Sequence, residues 1–234
     1  MGMTQQTLRL ASYNIHKALG LDRRRNPERI LQVLNRLDAD VVVLQEADLR
    51  LGARPTAVPH RLVEAETDFT ILPVAQNDVS LGWHGNAVLV SKSVPVSGFH
   101  RISLPGFEPR GAVRVDVDIG LGFSLVATHL GLLRRDRRAQ LHAIMAATED
   151  HERVVIAGDF NEWSATQGFE PLHDRFDVVA PGRSFHARRP IAALDRVALS
   201  GGLKLRDAGV EQGSLARRAS DHLPIWADID LPAS

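Results

Sequence analysis

The chain has 234 residues, 44% of them hydrophobic, so it can bury a sizeable core, and 28 Lys+Arg balance 28 Asp+Glu, leaving no net charge to draw it onto nucleic acid. The absence of cysteine excludes disulfides, thiolate metal sites and a cysteine nucleophile, and it suits a reducing compartment. No apolar run approaches the ~20 residues of a spanning helix, and the first residues lack the charged-then-apolar layout of a secretory signal, so a soluble, cytoplasmic protein is expected.

In chain order, Met1-Gly2 invites a myristoylation reading. Gln6 defeats it, because Ser or Thr is required there, and the pair reads as an addition ahead of a native Met3. Residues 8–14 alternate apolar and polar and predict a strand. Asn26-Pro27-Glu28 is a helix start: Asn caps, Pro suits the first helical position, and Glu favours the positive helix end. Ile30, Leu31, Val33, Leu34 and Leu37 give that helix an apolar face ending near Asp38. Residues 41–45 are short and apolar, as a buried strand is. Strands are expected at 87–91, 112–119 and 123–129, with Val113, Val115, Val117 and Ile119 alternating against Arg114, Asp116 and Asp118 to give one solvated face. Residues 135–149 read as a helix with Leu141, Ile144, Met145 and Thr148 on one side, and 154–157 as a buried strand. Strands at 194–199, 203–205 and 225–231 complete the set. With no repeat, low-complexity stretch or linker, residues 1–234 read as one domain with its core at about 8–231, of α/β or α+β class.

Polar residues stand where these apolar runs stop. Asn14 closes Ala-Ser-Tyr-Asn, Glu46 follows Val-Val-Val-Leu-Gln, and His129 ends Val-Ala-Thr-His. Asp159 and Asn161 lie in Val-Val-Ile-Ala-Gly-Asp-Phe-Asn, Asp195 in Ala-Leu-Asp-Arg-Val, and Asp221-His222 in Ser-Asp-His-Leu-Pro-Ile. Each has a plain alternative. Glu46 can simply emerge into water, Gly158-Asp159 can be an ordinary turn, and a lone histidine is more often packed than catalytic. Strand ends that deliver carboxylates, amides and imidazoles together are nonetheless what a hydrolytic site needs. The ordered set resembles the endonuclease/exonuclease/phosphatase superfamily of metal-dependent phosphoester hydrolases, over roughly residues 8–230.

The resemblance implies a four-layer sandwich of two packed mixed β-sheets flanked by helices. It makes Glu46 a metal ligand, with Asn14 and Asp221 as companions, around Mg²⁺, for which Mn²⁺ can substitute. Such an ion takes one or two protein carboxylates, and the lack of cysteine favours a hard cation. It pairs Asp195 with His222, an arrangement that fixes the imidazole tautomer. His222 then serves as base for a water or as donor to a phosphoryl oxygen, the base being favoured, while Asp159 competes for the role of positioning or activating that water. Asn161 is implied as a phosphate donor. His129 would bond a phosphoryl oxygen or protonate the leaving group, Arg110 would fork onto phosphate, and Asn86 would have a supporting place in Gly85-Asn86-Ala87.

Two departures from the resembling pattern are visible. His16 stands where DNA-repair members often carry an Asp, and Arg196 where a Tyr often follows the Asp. Arg23-Arg24-Arg25, Arg134-Arg135, Arg137-Arg138, Arg188-Arg189 and Arg217-Arg218 lie near the motifs, so they rim one mouth or form solvated loops. Aromatic residues total only 5%, few platforms for stacking bases, and no nucleic-acid-binding module stands out. The expected function is thus a phosphodiesterase acting on a small or lipid-derived anionic phosphoester. A DNA or RNA nuclease is the alternative, and a non-catalytic phosphate-binding module the remote one, disfavoured because no motif residue is lost. A zinc hydrolase is disfavoured by the lack of a His-x-x-x-His pair. Oligomeric state stays open.

Overall fold

The structure is a computed structural model that describes residues 6–232; the Met1-Gly2 start lies outside the described residues. Strand β1 (Gln6–Asn14) leads through a short 3₁₀ turn at His16–Ala18 to helix α1 (Pro27–Leu34) and strand β2 (Val41–Gln45). Helix α2 (His60–Glu66) and strands β3 (Phe69–Ile71), β4 (Ala87–Ser91), β5 (Val96–Leu104), β6 (Arg110–Val117) and β7 (Phe123–His129) follow. Helix α3 (Arg134–Ala147) precedes β8 (Val154–Asp159), β9 (Asp177–Val179), β10 (Asp195–Leu199), β11 (Lys204–Val210), helix α4 (Ala216–Ala219) and β12 (Ile225–Leu231).

Among the described residues twelve strands form two six-stranded mixed sheets, ordered β11-β12-β1-β2-β4-β3 and β5-β6-β7-β8-β10-β9. In each, a helix carries the chain between two parallel strands, α1 between β1 and β2 and α3 between β7 and β8. The period-two alternation of strands then sorts the side chains into layers. Val41 and Val43 of β2 face inward with Val113, Val115, Leu125 and Val155 of the other sheet. Val42 and Leu44 face outward against Ile30, Leu31 and Leu34 of α1. Leu141 and Ile144 of α3 cover Val126, Ile156 and Ala198 on the far side. Both faces of the central strands β2 and β8 are therefore buried, the physical reason residues 41–45 and 154–157 read as unbroken apolar runs. The four-layer arrangement is as expected.

Several elements differ from expectation, β6 (Arg110–Val117) and α3 (Arg134–Ala147) each ending two residues early. Helix α1 is capped by Asn26, whose side chain accepts from the Arg29 N–H at 2.8 Å. It stops at Leu34, however, because Asp38 takes a left-handed backbone (φ 49°) in the turn that buries Leu37. The polar face of β6 is only partly solvated: Asp118, just past the strand, is exposed, but Arg114 and Asp116 are half-buried, the Arg114 guanidinium lying under the end of α3 and donating to the Ala147 carbonyl at 3.1 Å. Strand β11 runs to Val210, well past residue 205, and β3, β5, β9 and α2 lacked apolar periodicity strong enough to predict them. Among the described residues no helix is long and apolar enough to cross a membrane.

Candidate active site

Strand register brings the motif residues together at one end of the sandwich. In the second sheet His129 pairs with Asp159 across parallel β7 and β8, and Asp159 pairs with Asp195 across antiparallel β8 and β10. Residues in register point to the same face, so one imidazole and two carboxylates sit side by side. Gly158 permits this close approach. Its φ is +151°, and an added Cβ would lie 1.8 Å from the Thr128 carbonyl oxygen. In the first sheet Asn14 and Gln45 end the parallel pair β1–β2, and Glu46 follows with a left-handed backbone (φ 53°).

A hydrogen-bonded chain links the two sheets. Asn14 Nδ2 donates to Asp159 Oδ2 at 3.0 Å, while Asp159 Oδ1 accepts the Asn161 N–H at 2.9 Å. His129 Nε2 and His222 Nε2 lie 3.4 and 3.7 Å from Asp159 Oδ2. His222 Nδ1 is 2.9 Å from Asp195 Oδ2, which also accepts from the Ser184 hydroxyl. All of Asn14, His129, Asp159, Asp195 and His222 are at least 95% buried. The Phe185 ring, 5.0 Å from the His222 ring, closes the other side.

Burial and charge set the protonation states. Burial alone would lower the proton affinity of His222. The Asp195 and Asp159 carboxylates outweigh it and raise the value to about 10, so the ring is an imidazolium at neutral pH. Burial raises the Asp159 carboxyl to about 6, opposed by the positive His222 and reinforced by Asp195. His129 moves the other way. Burial, then the charges of Arg110 and His222, hold it well below the usual histidine range, so it is neutral.

Glu46 stands on the other side of the cleft. Burial works against its ionisation, but Lys17, bonded to its Oε2, and Arg50, 3.5 Å from its Oε1, hold its carboxyl below the usual range. Asp221 Oδ1 accepts from the Ser220 hydroxyl at 3.3 Å and lies 3.6 Å from His16 Nδ1. Asn14 Oδ1 accepts the His16 N–H at 3.1 Å. Glu46, Asn14 and Asp221 thus offer oxygen donors around the His16-Lys17 segment, a donor type that suits a hard divalent ion. A second grouping, Asp159, Asp195 and His222, brings one potential ligand atom from each residue within 4.8 Å of the others. There, His222 Nδ1 is already engaged by Asp195 and the imidazolium itself supplies positive charge, so we favour the Glu46 side for the ion.

Arg110 opens β6 and lines a cavity of about 130 Å³ with Lys17, Glu46, Arg54, His84 and His129. Its Nη2 donates to Glu108 Oε2 at 2.7 Å, and its buried Nε has no partner among the described residues. A larger cleft of about 690 Å³, running past His60, Phe69 and Leu72, holds none of the motif residues. Asn161 is close to the site, yet its Nδ2 donates to the Leu130 carbonyl at 2.9 Å, bracing the loop after β7. Asn86 Nδ2 likewise donates to the Gly111 carbonyl at 2.8 Å, holding β6 against β4. The arginine clusters divide. Arg137 is buried and bonds Glu162 and the Leu132 carbonyl, and Arg134 also grips Glu162, so these two are braces rather than rim. Lys17, Ser184 and Phe185 escaped notice in the sequence. None sits in an apolar run or a motif segment, so nothing in the sequence singled them out.

Strand ends thus deliver carboxylates, an amide and imidazoles to one cleft, and comparison with known proteins gives the family. The chain belongs to the Endonuclease/Exonuclease/phosphatase family, which it matches over residues 11–222. Members of the family are phosphoester hydrolases that generally use a divalent metal. The uncharacterized protein YbhP of Escherichia coli strain K12 is 29% identical over 252 aligned residues, covering 97% of this chain and 98% of its own. The crystal structure of an endonuclease/exonuclease/phosphatase from Beutenbergia cavernae superposes with a TM-score of 0.74 at 25% identity, over 97% of this chain and 72% of that one. The D. rerio TDP2 structure, complexed with single strand DNA product, superposes at TM-score 0.74 over 97% of this chain and 100% of its own; at 17% identity that likeness is one of fold.

Proposed function

We propose that the chain is a Mg²⁺-dependent phosphodiesterase, with Mn²⁺ able to substitute, acting on a small or lipid-derived phosphodiester. The observation that carries this reading is the buried array of His129, Asp159, His222 and Asp195, tied through Asn14 to the Glu46 side of the cleft. Glu46, Asn14 and Asp221 would hold the ion, which when bound supplies positive charge to a phosphoryl oxygen. Asp159, ionised above about pH 6, accepts a proton from the attacking water. His222 was favoured as the base from sequence. Its raised proton affinity instead supports the donor role, Nε2–H to a phosphoryl oxygen, with Asp195 and Ser184 fixing the ring. Neutral His129 would protonate the leaving alkoxide and recover the proton that Asp159 takes from water, its Nε2 lying 3.4 Å from Asp159 Oδ2, while the Arg110 guanidinium adds a donor on the Glu46 side.

A nuclease is the second reading, favoured by the fold shared with the DNA-bound TDP2 structure. Against it stand the zero net charge and the pairing of Arg134 and Arg137 with Glu162. The deciding experiment is a screen of phosphate mono- and diesters, glycerophosphodiesters, inositol phosphates, DNA and RNA with Mg²⁺, Mn²⁺ and chelator. Chelator-sensitive cleavage of soluble diesters is expected. Turnover confined to polynucleotides would replace the substrate reading, and metal-independent turnover would remove the ion from it.

A further inference from the structure

Eight large hydrophobic side chains are exposed among the described residues, and their placement is uneven. Leu121 lies in the β6–β7 hairpin, at the end of the sandwich away from the site, and Val79 lies beside the 49–56 loop, its carbonyl accepting from the Thr56 N–H at 2.7 Å. The other six are Leu51, Phe107, Leu132, Leu133, Trp163 and Ile191, from 55% exposed at Leu133 to 91% at Phe107. Each is two to five residues from a motif residue: Glu46, Arg110, His129, Asn161 or Asp195. At no more than about 3.5 Å per residue, the chain cannot carry them far from the cleft.

Contacts between their loops place them around one rim. His84 Nδ1 lies 3.1 Å from Arg54 Nη1 and 3.0 Å from the Pro109 carbonyl, joining the Leu51 loop to the Phe107 loop. Glu108 Oε1 accepts the Leu132 N–H at 3.1 Å, joining Phe107 to the Leu132-Leu133 pair. Arg134 donates to Glu162 at 2.9 Å, joining that pair to Trp163. The Trp163 ring meets Phe185 edge-on at 5.9 Å, and the Phe185 carbonyl accepts the Ile191 N–H at 2.7 Å. Phe185 in turn rests on His222.

The rim also has a charge pattern. Leu51 follows Arg50, Leu132-Leu133 precede Arg134-Arg135, and Ile191 follows Arg188-Arg189-Pro190. Arg50, Arg135, Arg188 and Arg189 are exposed, Arg50 and Arg135 with long contacts of 3.5 Å to Glu46 and 3.4 Å to Asp136, whereas the acids of these loops are occupied. Glu108 holds Arg110, Asp136 accepts the Phe107 N–H, and Glu162 is held by Arg134 and Arg137. The charge left facing solvent is positive. Four of the six are aliphatic and cannot stack on bases, leaving only Phe107 and Trp163 as platforms, which disfavours single-stranded nucleic acid as the occupant. Leu, Ile, Phe and Trp interleaved with arginine match the boundary between anionic headgroups and acyl chains.

We propose that this rim docks the protein on an anionic lipid bilayer, with the six apolar side chains in the acyl boundary and the exposed arginines on headgroup phosphates, so that the cleft opens onto the lipid surface. Docking itself is independent of catalysis; only the step from docked surface to lipid substrate rests on the phosphodiesterase reading. Adsorption through side-chain tips is shallow, so binding is reversible and depends on both apolar area and lipid charge.

The test is sedimentation of the full chain with vesicles of phosphatidylcholine alone and of phosphatidylcholine containing about a third phosphatidylglycerol. Binding to the anionic vesicles should exceed binding to the neutral ones at least about tenfold, given about fivefold per basic residue near such a surface. Phe107→Asp/Leu132→Asp/Leu133→Asp should lower that partition at least about tenfold while leaving kcat/KM on a soluble diester within about twofold. Glu46→Ala should bind vesicles like the parent. Vesicle binding by a chain that cleaves no phosphodiester would leave docking standing and end the phosphodiesterase reading. Hydrolysis of soluble diesters without vesicle binding would overturn docking alone. So would a triple variant that sediments like the parent, or one that instead abolishes a concentration-dependent dimer or DNA binding.

Discussion

Glu46 and His222 carry opposite halves of the proposed chemistry, and each can be removed on its own. Glu46 projects from a strand end, so Glu46→Ala should leave the fold intact and raise the Mg²⁺ concentration needed for half-maximal activity by about tenfold or more. A metal titration that overlays the parent would place the ion elsewhere, with the Asp159, Asp195 and His222 grouping next in line. His222→Ala should lower kcat by roughly 10²–10⁴-fold. Asp195→Asn should act in the same direction and add little in the double variant, since Asp195 works through the ring it orients; additive losses would separate the two. The protonation states give a pH profile. With Asp159 titrating at about 6 and His222 at about 10, kcat/KM should rise between pH 5 and 7, stay flat, and fall through about pH 10. A fall centred near pH 7 would show that His222 is not held as an imidazolium. Stability follows the same group. The folded-state value of His222 lies above its ordinary 6.5, so its ion pair contributes fully below about pH 6.5 and is lost as pH rises through about 10. The parent Tm should decline over that window, and His222→Gln should flatten the decline.

At the scale of elements, the site depends on how closely β7 and β8 approach. Gly158 has no Cβ where the Thr128 carbonyl passes, and the atoms an added Cβ would meet are Thr128 backbone, which cannot swing aside as a side chain can. Gly158→Ala should therefore cost about 3 kcal/mol or more, read as a shift in the denaturation midpoint or as lost soluble protein. A near-neutral substitution would mean that the two strands can part. This requirement is invisible in the sequence, where Gly158-Asp159 passes for a turn. What the sequence does disclose is the ends of buried strands. Where both faces of a strand are covered, as in β2 and β8, the apolar run stops where solvent begins, so Glu46 and Asp159 announce themselves. Strand β5 did not, because only Ile102 and Leu104 of its nine residues are buried and Gly98 interrupts it. Ser184 and Lys17 act through single contacts made far from any periodic pattern. The end of α1 was misjudged because Leu37 is buried from a turn as readily as from a helix.

For the whole molecule, the question is what a neutral chain with a partly positive rim prefers to meet. A polynucleotide would engage several arginines at once. Its cleavage would then weaken steeply with salt, with a log–log slope of about −0.9 per duplex phosphate neutralised or about −0.7 on single strands. A small soluble diester meets the cleft through one phosphate, and two of the clustered arginines, Arg134 and Arg137, are committed to Glu162. We therefore expect kcat/KM for such a diester to change little across a salt series, and binding to DNA or RNA to be weak. Charge reversal at Arg135, which is exposed and makes only a 3.4 Å contact to Asp136, should leave soluble-diester turnover nearly unchanged. If DNA or RNA were cleaved efficiently, with a steep salt slope that reversal at Arg135 flattens, the positive rim would be a nucleic-acid path and the substrate reading would pass to the nuclease. The carboxylate and imidazole array would serve either substrate, because attack on a phosphodiester makes the same demands of Asp159 and His222 whatever the groups esterified to it.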